Sequence, residues 1–249
     1  NNVGIGFRSL QANTTPSANT AVGNVALTAN TTGSANTALG DNAGGSITTG
    51  SNNICIGYVA GNYSTPIITG QQNIMIGNYT VASSTSGDYA IGIGYNITAE
   101  AGYTTLGKGG DDIRALHGNT TWSTVSDERY KKDIADSTAG LSFINALRPR
   151  TFKYKALSEL PTTFNAYKAD STKIFKNENI NHGFIAQEVK EAIDADDSIK
   201  NGFTLWDERE DGSQEVAETA LIPVLTKAIQ ELSAKNDALE ARLSALENG

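Results

Sequence analysis

A short signature, Asn–x–x–aliphatic–Gly, recurs along the first part of the chain and limits what it can fold into more than any other feature. It reads NNVGIG, NTAVG, NTALG, NNICIG, QNIMIG, YAIGIG and TTLG, ending at Gly6, Gly23, Gly40, Gly57, Gly77, Gly94 and Gly107. The glycine intervals are 17, 17, 17, 20, 17 and 13 residues. Between them a second submotif (TTGSAN, TTGSNN, ITGQQN) places a Gly-containing turn before each strand. One such repeat is too small to bury its own apolar face, whereas a stack buries a continuous row of Val, Leu, Ile and Ala. Each repeat is expected to be a short strand, a turn and a second short strand, with the asparagines in ladders. Cys55 and Met75 occupy aliphatic slots and are expected in the core. Gly-, Ser-, Asn- and Thr-rich chains often stay disordered, but the fixed period and regular aliphatics argue against that here.

The 249 residues suffice for two ordinary domains, and composition places a boundary near the middle. Residues 1–125 are poor in charge, and 126–249 carry most of the Lys, Glu and Asp. The net charge of −8 argues against a nucleic-acid partner, which phosphate neutralisation would favour. No stretch approaches the roughly 20 apolar residues of a membrane span. A single cysteine excludes an intrachain disulfide, and two histidines with one cysteine do not make a zinc site without carboxylates. Neither metal nor cofactor is expected. The start at Asn-Asn, without Met or targeting segment, reads as a fragment of a longer protein.

The organisation expected is a β-repeat shaft over 1–107, a transition over 108–125, an α/β module over 126–217 and a helix over 218–249. In the module, DSTAGLSFINALRPR reads as a helix capped by Asp136 or Ser137, with an apolar face of Leu141, Ile144 and Leu147 and an end at Pro149. TFKYKAL alternates like a strand, 156–181 is polar loop, and HGFIAQEVKEAIDA runs from strand into helix. FTLWDEREDGSQEVAE reads as a hairpin turning at Asp211-Gly212. In the last helix Ile222, Leu225, Ile229, Leu232, Asn236, Leu239, Leu243 and Leu246 are spaced 3-4-3-4-3-4-3. That is a coiled-coil seam with leucine at every d position, and Asn236 at an a position sets register and oligomer state. The competing reading is one amphipathic helix packed on its own domain.

The stretch TVSDERYKKDI, 124–134, puts Ser126 beside Asp127 and Lys131 five residues after the serine. By itself it is either an exposed polar turn or a nucleophile with its base. Glu188 opens the helix after GFIA and either orients such a site or suits a helix N-terminus. His182 is a strand-edge histidine or a supporting group, and His117, without a partner in sequence, reads as surface.

The repeats resemble the head repeats of trimeric autotransporter adhesins and phage tail-fibre shafts, which implies a trimeric β-roll or β-helix. SDERYKKDI, LSFINALRPRTFKYK, HGFIAQEV and LIPVLTKAIQEL follow in the order of the endosialidase-type C-terminal intramolecular chaperones of phage tail spikes and fibres, the S74 peptidase family. That resemblance implies a homotrimeric module that helps the preceding fibre trimerise and then cuts itself off. It implies a Ser126/Lys131 dyad cleaving Ser126–Asp127, within one chain or between subunits, with Val125–Ser126 as the rival bond through an N→O acyl shift and with Tyr130 where the family more often has Leu. It implies a virion appendage whose chaperone is removed in the host cytoplasm, upstream fibre domains in the same chain, and a glycan or protein receptor on the host. The rival is a non-cleaving adhesin shaft with a permanent trimerisation cap. A glycan-cleaving spike has little support, since the repeats hold few carboxylates (Asp41, Asp88, Glu100).

Overall fold

The structure, a computed structural model, describes residues 1–197, 199–200 and 203–248. The chain divides into two compact units, Asn1–Lys132 and Asp133–Gly249. No helix among the described residues is long and apolar enough to cross a membrane.

The first unit is a β-solenoid. Strands β1 (Val3–Ile5), β2 (Thr20–Val22), β3 (Thr37–Leu39), β4 (Ile54–Ile56) and β5 (Ile74–Ile76) pair in parallel, in register, one per repeat. After β6 (Val81–Ala82) come β7 (Ile91–Tyr95), β8 (Thr98–Ala99) and β9 (Tyr103–Lys108). β7 and β9 extend the main sheet, and β6 pairs β8 on a second side. β10 (Asp111–Leu116) then folds back antiparallel on β9, so residues 108–125 include the last strand of the sheet. The expected second strand of each repeat forms only as β6 and β8. Elsewhere that side of the coil is turns, because left-handed residues recur at Arg8 and Leu10, Val25 and Leu27, Asn42 and Gly44, and Val59 and Gly61. Extended pairing cannot continue through such positions.

The middle residue of each strand from β2 to β5 points inward. The column Ala21, Ala38, Cys55, Met75 is buried, and burial pushes the Cys55 thiol up to about 12. Gly92 follows Met75 in register and leaves room for it, its added Cβ lying 3.3 Å from the Met75 sulfur. The flanking residues point out and align in two columns, of which Ile5, Val22, Leu39, Ile56, Ile76, Ile93 and Leu106 form one. Leu39 is 48% exposed.

Two ladders hold the coils in register. The Asn36, Asn53, Asn73 and Ala90 amides donate to the side-chain oxygens of Asn19, Asn36, Asn53 and Asn73, at 2.9–3.0 Å. The same side chains donate to turn carbonyls, Asn53 Nδ2 to Gly70 O at 2.9 Å. Each side chain of this ladder thus has both its oxygen and its nitrogen engaged, as burial demands, whereas the buried Asn30 donates but leaves its Oδ1 without a partner. The signature glycines form the second ladder. Gly40 has φ +135°, and a Cβ there would sit 2.5 Å from the Gly57 carbonyl oxygen. Only glycine permits both the conformation and the approach.

The second unit holds α1 (Leu141–Ala146), β11 (Arg150–Phe152), β12 (Asn181–Gly183), α2 (Ala186–Asp194), β13 (Trp206–Glu208), β14 (Gln214–Val216) and α3 (Leu221–Glu247). β11 pairs β12 and β13 pairs β14, both antiparallel. The hairpin turns at Asp211-Gly212, where Gly212 has φ +80°. Phe143, Leu147, Val189, Ile193, Leu205, Leu221 and Val224 make the core. α1 starts at Leu141 rather than after Asp136 or Ser137. Its first amide donates to Glu231 of α3 at 2.9 Å, so a distant carboxylate supplies the cap expected from a local one. Gly140 has no Cβ to block that carboxylate.

α3 buries Leu221, Val224 and Ala228. The heptad residues are exposed, Ile229 at 65% and Leu246 at 80%. The helix therefore packs on its own unit and still carries a bare seam. Residue 249, the end of the expected 218–249 helix, lies outside the described residues, as do 198, 201 and 202.

Candidate active site

Residues 124–134 are irregular apart from one short turn. Asp127 caps a single 3-10 turn, Glu128–Tyr130, its Oδ1 accepting the Arg129 amide at 2.9 Å. The Tyr130 and Lys131 amides donate back to the Asp127 and Glu128 carbonyls at 3.1 and 2.9 Å. This tightening returns residue 131 to the neighbourhood of residue 126, and Lys131 Nζ donates to Ser126 Oγ at 2.7 Å. Nucleophile and base candidate are thus in hydrogen-bond reach. Both lie within the first compact unit.

The Asp127 carboxylate is taken by Arg129, Nε to Oδ1 at 2.9 Å and Nη2 to Oδ2 at 2.6 Å. The Arg129 hydrogen bonds hold the Asp127 carboxyl below its ordinary range. Among the described residues Lys131 makes no ion pair. Ser126 and Lys131 are exposed, and so are Trp122, Val125 and Tyr130, the last at 80%. An open groove beside them is lined by Leu106, Asp111, Asp112, Ile113, Val125 and Tyr130.

Glu188 and His182 lie in the second unit. Glu188, in the first turn of α2, accepts from Arg150 through both oxygens, and Arg148 stands 3.4 Å away. The Arg150 hydrogen bonds lower the Glu188 carboxyl from its ordinary value. Its carboxylate thus ties α2 to the segment around β11. His182 is exposed at the centre of β12, opposite Thr151. His117, read as a histidine without a partner, has one: its Nε2 lies 3.2 Å from Thr104 Oγ1. The pairing of β9 with β10, which no motif announced, brings them together. Sequence reasoning also missed the Arg129 fork, whose signal was the Asp-x-Arg spacing within a turn.

No curated protein and no solved structure matches this chain. A family model does, and its match spans residues 126–197, beginning at the serine that Lys131 contacts. The family is described as the chaperone of endosialidase, a peptidase family, and the segment that opens at Ser126 belongs to it.

Proposed function

We propose that this chain is the C-terminal part of a phage tail fibre or tail spike. Its endosialidase-chaperone module drives trimerisation of the solenoid shaft and then leaves by self-cleavage at Ser126–Asp127. The 2.7 Å contact between Lys131 Nζ and Ser126 Oγ, at the first residue of the family match, carries this reading.

A lysine in water is an ammonium and donates; it becomes a base only when desolvated. In the single chain the pair is open to solvent. Three copies packed around Trp122, Val125 and Tyr130 remove that water, so cleavage follows assembly. Lys131 then takes the Ser126 hydroxyl proton as Oγ attacks. The serine cannot attack its own carbonyl, which needs a four-membered ring, so the target is the Ser126 carbonyl of a neighbouring copy. The bond to the Asp127 nitrogen breaks, Lys131 returns the proton to that amine, and water hydrolyses the ester.

Two unpartnered surfaces support the trimer. One is the bare heptad seam of α3, and the other is the outward aliphatic column of the main sheet, which carries no charge. Three chains held by the seam have a raised local concentration, so the shafts pair before they collapse separately.

Mass spectrometry of the purified chain tests the proposal. Wild type yields residues 1–126 and 127–249, while Ser126→Ala and Lys131→Ala stay whole. A wild type that stays whole yet trimeric makes the module a permanent cap and removes the peptidase.

A further inference from the structure

The Asp127 carboxylate adjoins the serine that Lys131 already reaches, so the ammonium could pair with it instead. An opposite charge at that range keeps a lysine protonated and draws it from the hydroxyl. The structure gives the carboxylate another partner. Arg129 occupies both oxygens through a fork, and its backbone amide adds a third bond. Exposed ion pairs add little to stability, and the side chain of Arg129 is 86% exposed. The fork is better explained by what it withholds than by what it stabilises.

We propose that Arg129 is a positioning residue for the self-cleavage proposed above: it sequesters the Asp127 carboxylate and leaves the Lys131 amine to the Ser126 hydroxyl. A planar guanidinium suits this better than an ammonium, because it engages both carboxylate oxygens at once and stays charged at every working pH. The other charged groups near Lys131 are Glu128, Lys132 and Asp133 on its own segment and Asp111 and Asp112 in the adjoining groove. Arg129 ties down none of these. Its effect is confined to the one carboxylate next to the nucleophile.

The test is the pH dependence of self-cleavage. Full-length precursor is kept unfolded in denaturant and diluted into buffers from mildly acidic to alkaline. The first-order conversion to residues 1–126 and 127–249 is followed on denaturing gels. Arg129→Gln frees Asp127 to pair with Lys131, so the rate profile moves up by about one pH unit and cleavage at neutral pH slows about tenfold. The rate recovers toward wild type at alkaline pH. Arg129→Lys, a point charge without the fork, moves the profile less. Asp127→Asn combined with Arg129→Gln brings the midpoint back toward wild type. An Arg129→Gln chain that cleaves slowly at every pH with an unmoved midpoint shows a merely structural role and overturns the inference, leaving the peptidase intact. A wild type that never cleaves overturns both.

Discussion

At the scale of single residues, the shaft depends on groups that can do only one thing. Asn53 accepts from the Asn73 amide and donates to Gly70 O, both buried. Asn53→Ala strands both partners and should cost about 2–4 kcal/mol, read as a lower thermal midpoint of the shaft. Gly40→Ala adds backbone strain to a 2.5 Å clash with the next coil and should cost at least about 2 kcal/mol. Cys55 is the converse case, a reactive group made inert. With its thiol near 12, a thiol reagent at neutral pH should not modify the folded shaft, and labelling should appear only with unfolding. Fast labelling of the folded protein would refute the inward placement of the strand centres.

At the scale of elements, the β13–β14 hairpin and α3 make separate predictions. Asp211 accepts from the Asn165 amide and from the Ser213 amide and hydroxyl, which carries its carboxyl down to about 2. A depressed carboxyl contributes stability above its unfolded value of about 4, and the contribution is lost as pH falls toward the folded value. The advantage of wild type over Asp211→Ala in thermal melts should be full at neutral pH and vanish near pH 2. In α3 the roles are already divided. Leu221, Val224 and Ala228 serve the unit's own core, while Ile222, Ile229, Leu239 and Leu243 face solvent. Leu239→Asp should leave the unit folded by circular dichroism but lower its oligomeric mass in light scattering, since no buried contact of the single chain is touched. Asn236→Leu should raise thermal stability and blur the oligomer number, as removal of a polar a residue does.

At the scale of the whole molecule, the proposed cut after Ser126 lies just before the end of the first unit, and it would discard the part proposed to set the register. A shaft separated from its module has no return path, so its persistence becomes kinetic. Cleaved wild-type shaft, once unfolded and diluted, should fail to regain its trimer, while intact Ser126→Ala chains regain theirs, as native gels would reveal. How much of this was readable in the residues follows from how local each signal is. The period of 17 announced stacked coils, the inward Cys55 and Met75 and the asparagine ladder, because each repeat sees the same neighbours. The Asp211-Gly212 turn and the strand-to-helix run through Gly183 and Ala186 were legible for the same reason, since turn chemistry and periodicity are local. The turns that replace a second strand were not, because left-handed Val25, Leu27 or Val59 look like strand residues until stacking imposes their conformation. Nor was the cap of α1, since Glu231 lies far along the chain and reaches Leu141 only when α3 folds back. The sequence alone determined the repeat, the heptad seam and the serine–lysine spacing, all of which are periodic or short-range. Only the tertiary structure decided that the 3-10 turn closes Lys131 onto Ser126, that Arg129 takes Asp127, and that α3 packs one face while leaving its seam bare. Those outcomes depend on which of several chemically suitable partners comes within reach in three dimensions.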